Sequence, residues 1–306
     1  MNNSFLINLK SKITILYVSL FYLFVISWFG TLNIEHWIIV GLYNSCFWFS
    51  ESTRKFILAF SAFVIFGILY DLMKLYPNYK VSPVDIEGIY NFEKLLFGIK
   101  TGGHVYIPLE YIANYQNKVL DFLMGIFYIN WVPVPLAFAF WLYKKDKRQF
   151  LNFSLTFLLV NLIGFSFYYI HPAAPPWYVE KHGFILNLNI HGDTAGLENF
   201  DKLINFPLFA SIYSRNSNVF AAIPSLHCAY PVIVLYFAFK SQMKQAIWLL
   251  VIFMLGIWFA AVYSGHHYII DVVFGIICAV FGIWIFRKLL KIKLFVKFMN
   301  KNESHI

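Results

Sequence analysis

The 306-residue chain is 60% hydrophobic, 21% aromatic and only 13% charged, against about 25% charged residues in a soluble domain; it cannot cover itself with polar groups, so the bilayer must be its solvent. The formal net charge of +9 does not indicate nucleic acid, because most basic residues sit in short clusters between apolar runs, where a topology signal belongs. Cys46, Cys228 and Cys278 lie inside apolar runs without metal-ligand spacing, which argues against a disulfide framework or a cysteine metal site.

The hydropathy pattern predicts an all-α membrane bundle of about eight helices. The first apolar run, 13–31, is too long for a cleaved leader and reads as an anchor. A shorter run follows at 34–49, then a third at 56–75. Residues 76–118 form a mixed loop broken by Pro77, Pro83, Gly88, Gly98, Gly102, Gly103 and Pro108, with 89–97 expected as a short interfacial helix. The fourth span, 119–143, holds Pro133 and Pro135, which kink it; a membrane helix tolerates this when neighbours satisfy the freed carbonyls. The fifth span is 150–170. A second long loop, 171–222, is rich in Pro, Gly and Asn. Spans at 223–239, 247–263 and 267–286 complete the set.

With the N-terminus inside, sixteen of the 24 Lys and Arg fall on the inner side, mostly in short segments. Both long loops then lie on the outer face, and the C-terminus returns inside. The stretch from Arg287 to Lys301 alternates Lys with apolar residues. It reads as a basic amphipathic helix on the inner leaflet or as a stop-transfer anchor. The expected division is N-terminal spans at 1–55, a core at 56–290 with outer loops 76–118 and 171–222, and a basic tail at 291–306.

Three stretches carry chemistry: His171-Pro-Ala-Ala-Pro-Pro-Trp-Tyr178, Ile223-Pro-Ser-Leu-His-Cys-Ala-Tyr230 and Tyr263-Ser-Gly-His-His-Tyr-Ile-Ile-Asp271. His267 and Asp271 are four apart. On a helix they share one face, where the carboxylate fixes one imidazole nitrogen and leaves the other free as nucleophile or base. An ionisable pair inside a membrane segment is costly and usually functional. His266, five from Asp271, is the weaker candidate. Pro224 suits a first helical turn, Ser225 can cap it, and the free amides there favour phosphate. The outer ends of the fifth, sixth and eighth spans share one face, so the three motifs can meet. Trp177 and Tyr178 by themselves read as interfacial aromatics behind a Pro-rich helix stop. No His-x-x-x-His or Cys/His spacing supports a metal site.

At these residues the chain resembles the type 2 phosphatidic acid phosphatase superfamily. That family's second signature, Pro-Ser-Gly-His, reads here Pro224-Ser225-Leu226-His227. Its third, Ser-Arg, five residues, His, three residues, Asp, is matched by His267 and Asp271, with Ala260 and Ala261 where Ser and Arg would stand. The first signature, a Lys and an Arg-Pro pair, is missing, and Pro-Pro-Trp-Tyr lies where it would end. The combination resembles the inositol phosphorylceramide synthase (aureobasidin-resistance) branch, which has bacterial members.

The resemblance implies a six-helix phosphatase-like core behind two N-terminal spans. It implies a membrane phosphotransferase of sphingolipid metabolism that moves a phosphoinositol-type headgroup from a phospholipid donor to a ceramide-like acceptor. His267 would be the nucleophile, Asp271 its partner and His227 the acid–base group, with a phosphohistidine intermediate and no metal or organic cofactor. The missing arginines fit a diester, which carries about one negative charge where a monoester carries up to two. Ser225, His266, Tyr268, Arg215, Lys181, Trp177 and Tyr178 are the expected substrate contacts. A lipid phosphatase using water, another lipid acceptor, and a transporter with vestigial motifs are the rival readings. The plain N-terminus suggests a bacterial inner membrane, with the site facing the periplasm. No partner subunit is named by the sequence.

Overall fold

The computed structural model describes residues 3–30, 32–214, 218–304 and 306. Arg215 and residue 31, the end of the first expected span, lie outside the described residues.

Nearly all regular structure is helical. The N-terminal part comprises α1 (Asn3–Phe29), α2 (Ile34–Phe49), α3 (Glu51–Ala59) and α4 (Ser61–Leu72). The first long loop holds α5 (Glu87–Phe97), a hairpin of β1 (Ile99–Thr101) and β2 (His104–Tyr106), and α6 (Pro108–Ala113). Next come α7 (Lys118–Ile129), α8 (Pro133–Lys145) and α9 (Lys147–Ile170). The second long loop holds α10 (Pro176–His182), α11 (Glu198–Ile204) and α12 (Leu208–Tyr213). The chain closes with α13 (Leu226–Lys240), α14 (Ile247–Tyr263), α15 (Ile269–Leu289) and α16 (Lys293–Glu303).

Within α1, α9 and α15, three stretches are each long and apolar enough to cross a membrane: Lys12–Phe29, Lys147–Ile170 and Ile269–Leu289. The bent pairs α3–α4 (52°) and α7–α8 (40°) each make a further candidate span, and α13 and α14 are shorter apolar helices. The α7–α8 break comes just before Pro133, as the two prolines require. Phe21, Trp28, Trp248, Ile277 and Val280 lie exposed on outward helix faces. Lipid tails, not water, can solvate such faces, and the protein is an integral membrane protein.

Helix α9 is the central post. Phe157 meets Phe63 of α4 (ring centroids 5.2 Å apart) and Tyr230 of α13 (4.6 Å). The Tyr230 hydroxyl donates to Asn161 Oδ1 at 2.6 Å, satisfying a fully buried amide. Small residues let backbones close up, as membrane helix packing requires. A Cβ on Gly282 would stand 2.4 Å from Val160, and one on Gly275 only 2.3 Å from the Ser225 carbonyl. Thus α15 lies against both α9 and the start of α13.

The two loops expected on one face fold together. Asp85 N–H donates to the Pro172 carbonyl (2.8 Å) and Ala174 N–H to the Asp85 carbonyl (2.9 Å). Ala173 in turn pairs with Ala221. These backbone bonds join both loops across the same end of α9, α13 and α15. At the opposite end α16 is amphipathic: Met299 is buried, Phe295 packs on Phe286, and Lys293, Lys297 and Lys301 face outward.

Candidate active site

Ser225 caps α13, its hydroxyl accepting from Cys228 N–H at 3.4 Å, and this places His227 in the helix's first turn. Ser225 N–H donates to the Asp271 carbonyl at 3.0 Å. That bond, with the Gly275 contact, holds the first turns of α13 and α15 at one depth.

His267 is not on the helix. The turn from α14 passes through Gly265, whose φ of +75° an L side chain rarely adopts. The His266 and His267 amides both donate to the Ala261 carbonyl, at 3.1 and 3.0 Å. Helix α15 starts only at Ile269, so the expected one-face pairing is replaced by a cap. The Asp271 carboxylate reaches back to Tyr268 N–H (2.9 Å), and His267 Nδ1–H donates to the same oxygen, Oδ2, at 3.4 Å. Asp271 is fully buried. With Nδ1 so engaged, His267 Nε2 lies 3.4 Å from His227 Nδ1. Tyr128 Oη lies 2.8 Å from the same His227 nitrogen and accepts from Tyr213 Oη at 3.3 Å. Trp131 packs against the His227 ring, centroids 4.3 Å apart.

These histidines border a cavity of about 290 Å³ between α4, α7, α9 and α13, under the second long loop. Its wall includes Phe66, Tyr70, Tyr128, Tyr168, Trp177, Asp193, Tyr213, His227, His266 and His267. His266 sits between Tyr213 (4.3 Å) and Tyr128 (5.5 Å) in stacked geometry, and its Nε2–H donates to the Thr194 carbonyl at 3.0 Å. Burial, then the neighbouring His267, pushes the His266 imidazole down to about 3. It is therefore a neutral platform at physiological pH.

The other expected contacts divide. Trp177 lines the cavity and donates its amide to the Gly265 carbonyl at 3.0 Å. Tyr178 is buried but off the cavity, its hydroxyl donating to Ile185 O and accepting from Asn187 N–H. Both are inside the protein, not in an interfacial belt. Ser225 and Tyr268 are helix-end residues behind the wall. Lys181 is held by Asp193, at 2.8 Å to each oxygen, and it is Asp193 that lines the cavity. Burial acts to raise the Asp193 pKa, but Lys181 and Ala195 N–H outweigh it and hold it low. Among the described residues no Lys or Arg side chain lines this cavity.

Sequence reasoning missed the supports. Glu93 of α5, 1% exposed, accepts from Ile269 N–H (2.9 Å) and Ile270 N–H (3.0 Å), the first amides of α15. It holds the start of the helix that carries Asp271. Burial pushes Glu93 up to about 7. Tyr128, Trp131 and Tyr213 were equally invisible: nothing local separates them from the chain's other aromatics. Glu93, directly before Lys94, reads locally as an ordinary charged position of an amphipathic helix.

Residues 101–285 match a family model described as PAP2 superfamily. The chain is 46% identical over 301 residues to phosphoinositol dihydroceramide synthase of Bacteroides thetaiotaomicron, covering 97% of this chain and 98% of that one. It is 26% identical to inositol phosphorylceramide synthase of Candida albicans, over 78% of this chain and 49% of the relative. It is also 26% identical to the inositol phosphorylceramide synthase catalytic subunit of Saccharomyces cerevisiae, over 68% and 50%. The chain thus spans about half the length of these fungal relatives. No solved structure matches it. With a family model covering more than half its length and the family's His and Asp positions gathered at one cavity, the chain belongs to the PAP2 superfamily.

Proposed function

We propose that this protein transfers a phosphoinositol-type headgroup from a phospholipid to a ceramide-like lipid, through a phosphohistidine on His267. The observation that carries this reading is the Asp271–His267–His227 relay on the wall of a cavity set among membrane helices. The name of the 46% identical relative supports the substrate pair.

Asp271 holds the proton on His267 Nδ1, which leaves the Nε2 lone pair free. In the first step Nε2 attacks phosphorus, and the bond from phosphorus to the diacylglycerol oxygen breaks. Protonated His227 gives its proton to that oxygen. The diester's negative charge beside His227 favours this protonated ring. The phosphorylated imidazole is cationic, and the Asp271 carboxylate balances it. In the second step the acceptor hydroxyl passes its proton to His227, its oxygen bonds to phosphorus, and the N–P bond breaks. One hard displacement becomes two easier ones. The phosphoryl group takes the place of the direct contact between the two histidines. Arg215, two residues from Tyr213 on the cavity wall, supplies the cation for the diester phosphate.

Helix α2 and the seven apolar helical stretches together make eight spans, with bent α3–α4 and α7–α8 counting once each. The basic clusters put the N-terminus inside and the two long loops outside. In a bacterium this sets the site on the periplasmic side of the inner membrane. Residues 1–55 are then an N-terminal unit, 56–290 the catalytic core and 291–306 an inner-face tail.

The test uses purified protein in detergent with an inositol phospholipid carrying a labelled headgroup phosphate, with and without ceramide, under chelator. Labelled phosphoinositol-ceramide made only with ceramide is the expected product, with labelled phosphoinositol trapped on the enzyme from donor alone. His267→Ala abolishes both, and Arg215→Ala raises the KM for donor. Release of free inositol phosphate at the same rate without ceramide would mean hydrolysis, and full turnover in His267→Ala would end the mechanism.

A further inference from the structure

A second cavity, of about 280 Å³, opens at the end of the bundle opposite the relay, between the first turns of α9 and the last turns of α13 and α15. Gln149, Asn152 and Thr156 line it from one face of α9, Lys240 from α13 and Arg287 from α15. The two cations alone have an ordinary explanation. Each lies in the last turn of its helix, where it meets the negative end of the dipole and, in the orientation proposed above, marks the inner side. That does not account for the α9 residues. Asn152 is 8% exposed and Thr156 0%. The Asn152 amide donates to Gln149 Oε1 at 3.5 Å, but among the described residues neither Asn152 Oδ1 nor Thr156 Oγ1 has a hydrogen-bond partner. Buried polar atoms are almost always paired, so two orphans on one wall call for a ligand or ordered water.

The wall specifies the chemistry. Among the described residues no Asp or Glu lines this cavity. Asp146 accepts the Gln149 amide and Glu303 pairs with Arg148, and neither faces it. Two cations without a carboxylate on their wall fit a phosphodiester, the guanidinium by a two-pronged contact and the ammonium as a point charge. The more deeply buried carbonyl oxygen of Asn152 accepts a hydroxyl, and the Thr156 hydroxyl accepts or donates. The complementary ligand is therefore a phosphate anion that carries hydroxyl groups.

The surroundings fit a lipid as its source. Phe239, beside Lys240, and Trp284, one turn before Arg287, are exposed on the outward helix faces where acyl chains lie. Helix α16, packed on Phe286 through Phe295, brings its outward lysines to the same end, and such basic clusters favour an anionic membrane surface. We propose that this cavity binds the head of an anionic phospholipid, with Lys240 and Arg287 on the phosphate and Asn152 and Thr156 on the headgroup hydroxyls. Occupancy ties together α9, α13 and α15, whose other ends meet at the catalytic cavity, and stabilises the fold by mass action. The orientation proposed above makes the leaflet the inner one; the binding itself does not depend on it.

The probe is short-chain phosphatidylglycerol, an anionic phosphodiester with headgroup hydroxyls, titrated into purified protein in neutral detergent while the melting temperature is followed. Two further arms use phosphatidylcholine, which has neither net charge nor headgroup hydroxyls, and glycerophosphoglycerol, the same head without acyl chains. Phosphatidylglycerol raises the melting temperature with a saturating dose response, and the other two do not. Lys240→Gln combined with Arg287→Gln raises the half-saturating dose about tenfold or more, through lost charge-assisted hydrogen bonds. Thr156→Val reads the cavity without touching a charge, and it carries the test if the double variant fails to fold. Without lipid its melting temperature rises, because an unpartnered buried hydroxyl is gone, and the shift that phosphatidylglycerol produces shrinks. Lys293→Gln with Lys297→Gln, off the cavity, leaves the half-saturating dose little changed. A wild-type lipid response in Thr156→Val, an equal shift from phosphatidylcholine or glycerophosphoglycerol, or an equal loss in the α16 variant overturns the assignment.

Discussion

Replacing Glu93 tests whether a loop residue holds the reacting residues in place. Its carboxylate accepts two α15 amides, at 2.9 and 3.0 Å, from a position 1% exposed. Glu93→Ala leaves both buried amides without acceptors. Each orphaned donor costs about 1–3 kcal/mol, so the pair costs about 2–6 kcal/mol, less whatever is recovered by no longer burying a carboxylate. The first turn of α15 then frays, and Asp271 and His267 shift with it. A displacement of roughly 1 Å at reacting groups lowers kcat about 100-fold. The assays are thermal unfolding in detergent and steady-state transfer, with donor KM expected to hold. Protonation adds a second reading. A carboxyl raised from 4.5 to about 7 by burial contributes stability that is present below about pH 4.5 and lost as pH rises through about 7. Glu93→Gln cannot ionise, so its melting temperature relative to wild type climbs across that window. The ionised form alone offers two full acceptors, so wild-type kcat rises through about pH 7 and the Gln variant's does not. Wild-type melting temperature and kcat in Glu93→Ala would refute the reasoning.

Two further outcomes follow from the same geometry. Tyr128→Phe removes the hydroxyl 2.8 Å from His227 Nδ1. A hydrogen bond to a charged ring contributes about 1.5–3 kcal/mol, so kcat falls about 10- to 100-fold with the melting temperature little changed; kinetics equal to wild type would remove Tyr128 from the relay. Gly275→Ala puts a Cβ 2.3 Å from the Ser225 carbonyl. Ordinary contact needs about 1 Å more, which pushes α15 off α13 and parts Asp271 from His227. Size-exclusion profile and transfer rate read this, and a monodisperse, fully active variant would contradict the close-packed interface.

The residues of the relay and the apolar helical stretches were legible in the chain because both are local. Hydropathy over about 20 residues follows from bilayer thickness, and the His and Asp spacing is a property of one short segment. The fold came out helical where the apolar runs predicted it, with the fourth run broken just ahead of Pro133. The manner of pairing was not legible. His267 and Asp271 meet through a helix cap made possible by Gly265, since the helix begins after His267, not at it. Lys181 belongs to Asp193, an ion pair between the last turn of α10 and the irregular stretch that follows it, twelve residues apart, which no periodicity describes.

What the sequence determined by itself was a membrane-embedded chain with three chemical motifs on one face. Only the tertiary structure decided what surrounds them. Glu93 reaches α15 across 176 residues and Tyr128 reaches His227 across 99. Contacts of that range depend on how helices pack, on Gly275 and Gly282 letting α15 approach, and on two loops joining over the bundle's end. Local pattern carries the solvent preference of each segment; which side chains a segment meets is set when the segments pack.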